Sequence, residues 1–241
     1  MNYIFDVDGT LTDSRQKIDP EFEEFFLDFT RNNNCYTVTG SDYEKTLEQL
    51  GEDVCNNLTY MFQCAGNCVY KNGEMIYEND WKLPDSAAFW LLDKLHSSGF
   101  YRKTGRHLEH RPGMANFSVV GRNCNFEERV MYREWDEHKK ERQTIANEFK
   151  EKFNIDASVA GETGIDIYPM GSDKSQVIEW IEKPITFLGD MMQLGGNDYP
   201  LARALEMHVD CVSLQVKDWK DTQRILFALK NPSLHSSVIV V

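Results

Sequence analysis

The sequence contains no apolar run near the length of about 20 residues that a membrane-spanning helix needs. Residues 1–30 also lack the hydrophobic stretch of a secretory signal, because their most apolar part, FEEFFLDF at 22–29, is short and acidic. These absences predict a cytoplasmic protein that has no membrane partner.

Positive charge is scarce along the chain. The 241 residues include 26 Lys and Arg against 39 Asp and Glu, so the formal net charge is −13. Such a surface repels nucleic acid backbones and anionic lipid, which argues against both as partners. An anionic substrate would therefore need a site that concentrates cations locally or binds a metal ion.

Paired cysteines are missing as well. The six cysteines include no CxxC pair, and Cys64 and Cys68 have no second ligand pair at the spacing of a zinc finger. We therefore predict reduced thiols in a reducing compartment, and no zinc site.

Short apolar strands alternate with amphipathic helices at both ends of the chain. This alternation over 1–80, resumed after 171, predicts parallel strand pairing and an α/β sheet. The residues between have the pattern of antiparallel strand pairs with helices. We predict an α/β fold with a Rossmann-like parallel-sheet core, formed by 1–80 and 171–241, and an inserted α/β cap domain, 81–170.

Turn and capping residues predict the bounds of single elements. A helix over 41–51 should end at Gly51, and another helix is predicted over 172–182. An Asn-Gly pair predicts a hairpin over 69–77. A strand is predicted at 208–214.

Two aspartates, Asp6 and Asp8, follow the first predicted strand in the motif DVDGT. Carboxylates there can bind Mg²⁺, attack phosphorus as a nucleophile, or do both, and the second can move a proton. An Asx turn is the alternative, because Asp before Gly is common in turns. The TGS turn after the second predicted strand and Asp190 after a later one favour a functional role, because the carboxyl ends of parallel strands border one crevice.

This combination resembles the haloacid-dehalogenase-like phosphotransferases. The resemblance implies that Asp6 is the nucleophile and Asp8 the acid/base. The phosphate-binding residues that it implies are Thr39, Ser41 and Lys174, and the implied Mg²⁺ ligands are Asp6, Asp8, Asp190, Asn197 and Asp198. A transferring phosphoryl group carries negative charge that a metal, a lysine and hydroxyl groups stabilise. Without the motifs, Lys174 would be read as a solvated helix residue.

The resemblance narrows to one family, the eukaryotic-type phosphomannomutases. It is carried by FDVDGTLTDSRQKIDPE, TGSDYEKTLEQLG, YKNG, RPGMANFSVVGRNCNFEER, GIDIYPMGSDK and GDMMQLGGND, in this order. The resemblance implies interconversion of mannose 6-phosphate and mannose 1-phosphate through an aspartyl phosphate, with Mg²⁺ and a hexose 1,6-bisphosphate activator. It also implies a hexose-phosphate substrate and a homodimer joined through the cap. The implied substrate-binding residues are Arg15, Arg111, Arg122, Arg129, Asn116 and Asp166.

The arginines fit this chemistry even when the resemblance to the family is left aside. A mutase binds a sugar that carries phosphate at either end, so it needs a second anion site, and arginine binds phosphate bidentately. Arg111, Arg122 and Arg129 fall within one stretch of 19 residues, although the chain as a whole is acidic. Each arginine alone would be interpreted as part of a surface salt bridge, but the three together favour a phosphate site.

Several positions depart from the family pattern. Cys64 and Ala65 stand where the family has Glu-Asn, and Gly164 stands where it has Ser, so polar groups near the site are lost. Two alternatives therefore stay open: a sugar-phosphate phosphatase on the same scaffold, and a non-catalytic sugar-phosphate-binding protein. The preference between mannose and glucose phosphates also stays open.

Overall fold

The structure, a computed structural model, describes residues 1–231 and contains two β-sheets with helices packed against them. Its strands are β1 (Asn2–Phe5), β2 (Asn34–Val38), β3 (Tyr60–Gln63), β4 (Cys68–Lys71), β5 (Glu74–Glu78), β6 (Leu108–Arg111), β7 (Met114–Phe117), β8 (Asp156–Ala160), β9 (Gly164–Tyr168), β10 (Ile185–Gly189) and β11 (Val212–Gln215). Its α-helices are α1 (Pro20–Thr30), α2 (Tyr43–Asn57), α3 (Asp85–Ser97), α4 (Phe126–Lys139), α5 (Glu141–Phe153), α6 (Tyr199–Leu205) and α7 (Trp219–Lys230). No helix among the described residues is long and apolar enough to span a membrane.

The larger sheet has the strand order β11-β10-β1-β2-β3-β4-β5. Strands β11 to β3 of this order run parallel, and β4 and β5 add the predicted antiparallel hairpin. Phe5, at the end of the central strand, pairs with Leu188 on one side and Thr37 on the other. The carboxyl ends of β1, β2 and β10 therefore border one crevice, and the prediction of a Rossmann-like α/β sheet is confirmed.

Helix α1 covers one face of this sheet. It begins at Pro20 because the Asp19 side chain accepts hydrogen bonds from two free backbone N–H groups of the first turn. Phe22, Phe26 and Phe29 follow at helical spacing and are buried. Phe26 meets Phe5 edge to face, with ring centroids 5.1 Å apart. Burial of each such ring stabilises the fold by about 1.5–3 kcal/mol, which holds β1 and its carboxyl end in place.

The smaller sheet has the order β6-β7-β9-β8 and is antiparallel throughout. It lies within 81–170, the interval predicted for a cap, and packs against α3, α4 and α5. Leu91, Phe117 and Phe149 belong to its own hydrophobic core, which is separate from the clusters on the larger sheet. A small apolar cluster of Cys64, Ala65, Met114 and Tyr168 joins the two sheets.

Three element predictions differ from the structure. Gly51 interrupts α2 with a φ of 77° but does not end it, because the chain resumes helical geometry as far as Asn57. Residues 174–180 form a 3₁₀ helix in place of the predicted α-helix. Strand β11 begins at Val212, because as an edge strand it pairs on one side only, and periodicity does not mark where such pairing starts.

Candidate active site

The crevice at the carboxyl ends of the parallel strands is closed on its other side by the smaller sheet. Asp6 follows β1, Thr39 and Ser41 lie just after β2, and Asp190 follows β10. All of them line one pocket whose opposite wall comes from the small sheet and the loops around it. Twelve of the fourteen predicted site residues line this pocket, and the other two, Lys174 and Asp198, are connected to it through the hydrogen bond of Lys174 to Asp6. The lining residues are Asp6, Asp8, Arg15, Thr39, Ser41, Arg111, Asn116, Arg122, Arg129, Asp166, Asp190 and Asn197.

Lys174 is fully buried and joins two of the predicted acidic residues. Its Nζ donates to Asp6 Oδ1 at 2.6 Å and to Asp198 Oδ1 at 2.7 Å. Burial alone lowers the pKa of Lys174, but Asp198 and Asp6 raise it above the ordinary lysine value, so Lys174 stays charged. Lys174 is therefore not a solvated helix residue, and its ammonium group contacts the carboxylate of the predicted nucleophile.

A third carboxylate, that of Asp190, joins the two that Lys174 contacts. Asp6, Asp190 and Asp198 each offer an oxygen within 4.8 Å of the others. Burial, with the charge of Asp198, raises the pKa of Asp190 to about 7. Burial raises the pKa of Asp6 as well, and the charges of Asp198 and Asp190 add to that rise. The cluster has more negative charge than Lys174 balances, so it suits a divalent cation.

Further features near the cluster fit a metal ion bound by oxygen. The Oδ1 atom of Asn197 is buried and has no hydrogen-bond partner among the described residues, which leaves it free as a ligand. The loop backbones approach the carboxylates at glycines: a Cβ at Gly9 would lie 2.4 Å from Asp190 Oδ2, and one at Gly189 2.6 Å from Asp198 Oδ2. The donor set of carboxylates and an amide oxygen is the kind that Mg²⁺ prefers.

The Asp8 side chain lies apart from that cluster. Its Oδ1 accepts hydrogen bonds from the backbone N–H of Arg15 at 2.8 Å and from Gln49 Nε2 at 3.0 Å. The carboxylate is not in the group formed by Asp6, Asp190 and Asp198. The geometry suits a proton-transfer role for Asp8, and the role of Asp8 as a metal ligand stays a prediction.

The turn after β2 contacts both sheets. Thr39 and Ser41 are buried, and the backbone N–H of Ser41 donates to Thr39 Oγ1 at 3.1 Å. The carbonyl of Gly40 accepts a hydrogen bond from Arg111 Nη1, so an arginine of the small sheet contacts the loop of the large one. A Cβ at Gly40 would lie 2.3 Å from Asp166 Oδ2, so only glycine permits this close approach.

The predicted arginines share carboxylate partners in the pocket wall. Glu109 binds Arg111 at 2.5 Å and Arg122 at 3.1 Å. Burial alone raises the pKa of Glu109, but the two arginines lower it to about 2, so it is ionised. Glu162 binds Arg129 at 3.4 Å, and its other oxygen binds the exposed Arg133 at 3.1 Å.

Cationic side chains outnumber carboxylates at the end of the pocket where Glu109 and Glu162 lie. Arg15 lies so close to Arg122 and Arg129 that burial and their charges lower its pKa to about 10. Lys45, on the first turn of α2, lines the same space, and burial with the charges of neighbouring arginines lowers its pKa to about 8. Such mutual repulsion is relieved when an anion binds.

Four residues of this site were not predicted from the sequence: Lys45, Gln49, Glu109 and Glu162. Lys45 offered one sequence signal, because it lies four residues after Ser41 on the first helical turn beyond the TGS turn. The others gave none, because a glutamine or glutamate in a charged stretch is an ordinary surface residue until packing shows its partner.

Asn116 and Asp166 pair in the middle of the pocket. Asn116 Nδ2 donates to Asp166 Oδ1 at 2.7 Å, while Asn116 Oδ1 is buried without a partner. A Cβ at Gly164 would lie 2.7 Å from Asn116 Nδ2, so the missing side chain at 164 makes room for this amide. The pair offers acceptors to a ligand hydroxyl group.

Two other departures have a structural explanation. Cys64 and Ala65 form a turn whose backbone N–H groups donate to Ser41 and Thr39 carbonyls at 2.9 and 2.8 Å. Their side chains belong to the apolar cluster that joins the two sheets. The turn supports the loop after β2 through its backbone, so the loss of polar side chains there leaves these hydrogen bonds intact.

These features define the class of haloacid-dehalogenase-like proteins. They are a parallel sheet whose first strand is followed by Asp6 and Asp8, a buried lysine, and a carboxylate cluster with excess negative charge. A solved haloacid dehalogenase-like hydrolase from Bacteroides thetaiotaomicron has the same fold: the TM-score is 0.58 at 13% identity, covering 95% of this chain and 98% of that one.

Sequence comparison narrows the class to a family. The family model described as eukaryotic phosphomannomutase matches residues 22–231. A phosphomannomutase of Dendrobium officinale is 36% identical over 210 residues, covering 82% of this chain and 83% of that protein. Phosphomannomutase 1 of Dictyostelium discoideum is 34% identical over 212 residues, covering 83% and 85%. The chain belongs to the eukaryotic phosphomannomutase family, and the predicted resemblance is confirmed.

Proposed function

We propose that this chain interconverts mannose 6-phosphate and mannose 1-phosphate. The observation that carries the proposal is the pairing, within one pocket, of a buried Asp6 bound to Lys174 and a separate group of arginines. A mutase needs these two anion sites, because one phosphate reacts while the other is held. The phosphomannomutases that are about 35% identical to this chain support the same activity.

In this mechanism Asp6 attacks the phosphorus of a hexose 1,6-bisphosphate and becomes an aspartyl phosphate. Asp8 donates its proton to the departing sugar oxygen and later removes one from the hydroxyl of the bound monophosphate. Lys174, Thr39 and Ser41 bind the oxygens of the transferring group. Asp6, Asp8, Asp190, Asn197 and Asp198 would hold Mg²⁺, which supplies positive charge to the phosphoryl oxygens when it is bound.

The other end of the pocket holds the second phosphate. Arg15, Arg111, Arg122 and Arg129 bind it by charge-assisted hydrogen bonds, and Lys45 adds a fifth cation. Asn116 and Asp166 accept hydrogen bonds from the sugar hydroxyls. Residues 81–170 act as a cap over the core, and closure of this cap excludes water from the aspartyl phosphate.

We further propose that the protein works in the cytoplasm as a homodimer joined through the cap. Support comes from two aromatic side chains between 81 and 170, Phe89 and Phe126, which are 68% and 79% exposed. Exposed aromatic groups of this size are typical of protein interfaces.

A coupled assay with mannose 1-phosphate, run with and without glucose 1,6-bisphosphate, tests the activity. We expect turnover that depends on the bisphosphate and releases little inorganic phosphate. Asp6→Asn should abolish turnover and the phosphoenzyme, whereas Asp13→Asn, at an exposed position in the same loop, should retain both.

Net phosphate release at the rate of substrate loss would instead favour a sugar-phosphate phosphatase. Binding of the sugar phosphate without any turnover would favour a non-catalytic binding protein. The same assay with glucose 1-phosphate compares the two sugars.

A further inference from the structure

The orientation of the Asp8 carboxylate is set by one backbone N–H group and by one side chain that does not line the pocket. Both hydrogen bonds that the side chain receives, from the Arg15 backbone and from Gln49 Nε2, go to Oδ1. The backbone of Arg15 adopts a φ of 60°, a left-handed conformation that non-glycine residues rarely take. With Oδ1 engaged by two donors, Oδ2 is the oxygen left to exchange a proton with a ligand.

Gln49 is a buried hydrogen-bond donor. It lies on α2, is 3% exposed, and divides the two N–H groups of its amide between Asp8 Oδ1 and Thr12 Oγ1, each at 3.0 Å. The backbone carbonyl of Gln49 accepts a hydrogen bond from Ile18 at 2.8 Å, which ties this point of the helix to the loop after Asp8.

The amide orientation is settled by charge. The reverse orientation would place the amide oxygen against the Asp8 carboxylate, where two acceptors repel each other. In the orientation observed, Gln49 Oε1 is buried and has no partner among the described residues. A buried acceptor without a partner is unfavourable, so an amide that served only stability would not be expected here.

We propose that Gln49 is a positioning residue that holds the Asp8 carboxylate with Oδ2 toward the reacting sugar oxygen. The inference rests on the proposed function. In the transfer step, the sugar hydroxyl attacks the phosphorus of phospho-Asp6. The O–P bond to the sugar forms while the bond to Asp6 breaks, and its electron pair returns to the Asp6 carboxylate. The hydroxyl proton goes to Asp8 Oδ2, and in the reverse step Asp8 Oδ2 returns it to the leaving sugar oxygen.

This role has a consequence that depends on the leaving group. A sugar oxygen leaves as a strongly basic alkoxide unless it is protonated, so its departure needs a well-oriented acid. Acetate leaves acetyl phosphate as a stable carboxylate and needs no proton. A change that only misaligns Asp8 therefore slows phosphoryl transfer to and from sugar oxygens and spares phosphoenzyme formation from acetyl phosphate.

The variants Gln49→Leu and Gln49→Met remove the hydrogen-bond donor and retain much of the side-chain volume. Two variants are used so that the test can still be made if one of them folds poorly. Thr12→Val is the matched control, because it removes the other hydrogen bond of the same amide and leaves the one to Asp8. The measured quantities are the rate of phosphoenzyme formation from acetyl phosphate, the rate of phosphoryl transfer from the phosphoenzyme to mannose 1-phosphate, and the KM for mannose 1-phosphate.

For the Gln49 variants we expect sugar transfer to slow by about tenfold to a hundredfold, the loss typical of a hydrogen bond to a charged group. Phosphoenzyme formation from acetyl phosphate should stay within about threefold of wild type, with KM little changed. Thr12→Val should keep both rates. Equal losses with both phosphate donors, or an equal loss in Thr12→Val, would overturn the proposal in favour of a structural role.

The test remains decisive if the chain proves to be no mutase. In that case wild type hydrolyses mannose 6-phosphate without transfer, and the proposed function fails. The rates of phosphoenzyme formation from mannose 6-phosphate and from acetyl phosphate in the Gln49 variants then ask the same question about Asp8, because only this step differs in its leaving group. A selective loss with the sugar phosphate still supports the positioning role, and a uniform loss still overturns it.

Discussion

The two ends of the pocket are opposite in charge. At the end formed by the large sheet, three carboxylates lie together with one lysine, which pairs with two of them. At the end nearer the small sheet, five cations face two glutamates: Arg15, Lys45, Arg111, Arg122 and Arg129 against Glu109 and Glu162. Each end has an excess that a ligand of opposite sign relieves, so the pocket suits a cation at one end and an anion at the other.

The two ends of the pocket also differ in how deeply their charged side chains are buried. Lys174 and its two partners are almost completely buried, with side chains 5% exposed or less. Arg122, Arg129 and Glu162 are partly exposed, and Glu162 also holds a solvent-exposed arginine. Substitutions at the first end should therefore affect folding or metal binding, while those at the second should affect ligand binding.

Lys174→Met should produce the largest effect. It leaves Asp6 and Asp198 buried without their cation, which typically costs about 3–5 kcal/mol of unfolding free energy. Urea denaturation measures the loss, and Lys217→Met, at an exposed position, is the control. A loss below about 1 kcal/mol would mean that the two ends are equally tolerant.

Asp190→Asn should mainly affect the metal. Loss of one carboxylate charge from the cluster with Asp6 and Asp198 should weaken Mg²⁺ binding by about a hundredfold, because even residues outside the metal's ligands contribute ten- to a hundredfold. Titration calorimetry and the Mg²⁺ dependence of turnover measure the change. An unaltered Mg²⁺ titration would remove Asp190 from the metal site.

Arg122→Ala and Arg129→Ala should weaken the use of sugar phosphates only. Each loses charge-assisted hydrogen bonds worth about 1.5–3 kcal/mol, so kcat/KM for mannose 1-phosphate should fall by one to two orders of magnitude. Hydrolysis of acetyl phosphate, which has no distal phosphate, is the internal control. If both activities fell together, the arginines would be structural.

Lys45 should make the cationic end sensitive to pH. Because burial and the arginines lower its pKa to about 8, Lys45 is charged below that pH and loses its charge above it. We expect kcat/KM for mannose 1-phosphate to fall by roughly tenfold as the pH rises through about 8. Lys45→Arg stays charged and should flatten this limb of the profile, whereas an unchanged profile would exclude Lys45 as its source.

Glu162→Gln should have the smallest effect and the opposite sign. Its carboxylate binds Arg129 at 3.4 Å, where it competes with an incoming phosphate. Neutralising it should lower the KM for mannose 1-phosphate by about threefold and leave kcat unchanged, since a partly exposed ion pair contributes about 1 kcal/mol or less. Glu134→Gln, at an exposed position of α4, is the control. A raised KM would show that Glu162 orients Arg129 for the phosphate.

The sequence predicted the site where its residues follow strand ends. Asp6, Thr39 and Asp190 were predicted to converge because each ends a strand of one parallel sheet, and they do line one pocket. Gln49 could not be predicted, because its role depends on the side of α2 that faces the Asp8 loop. Glu109 could not be predicted either, because its partners are set by how β6 lies beside the loop that carries Arg122.

By itself, the sequence determined the α/β architecture, the order of its elements and the family, because periodicity, caps, turns and motifs are local properties of the chain. Only the tertiary structure decided which charges meet. It buried Lys174 between Asp6 and Asp198, turned Gln49 toward Asp8, and set glutamates against the arginines. The physical reason is that the partner and the burial of a charged side chain depend on the packing of distant segments, and these two quantities govern its electrostatic energy.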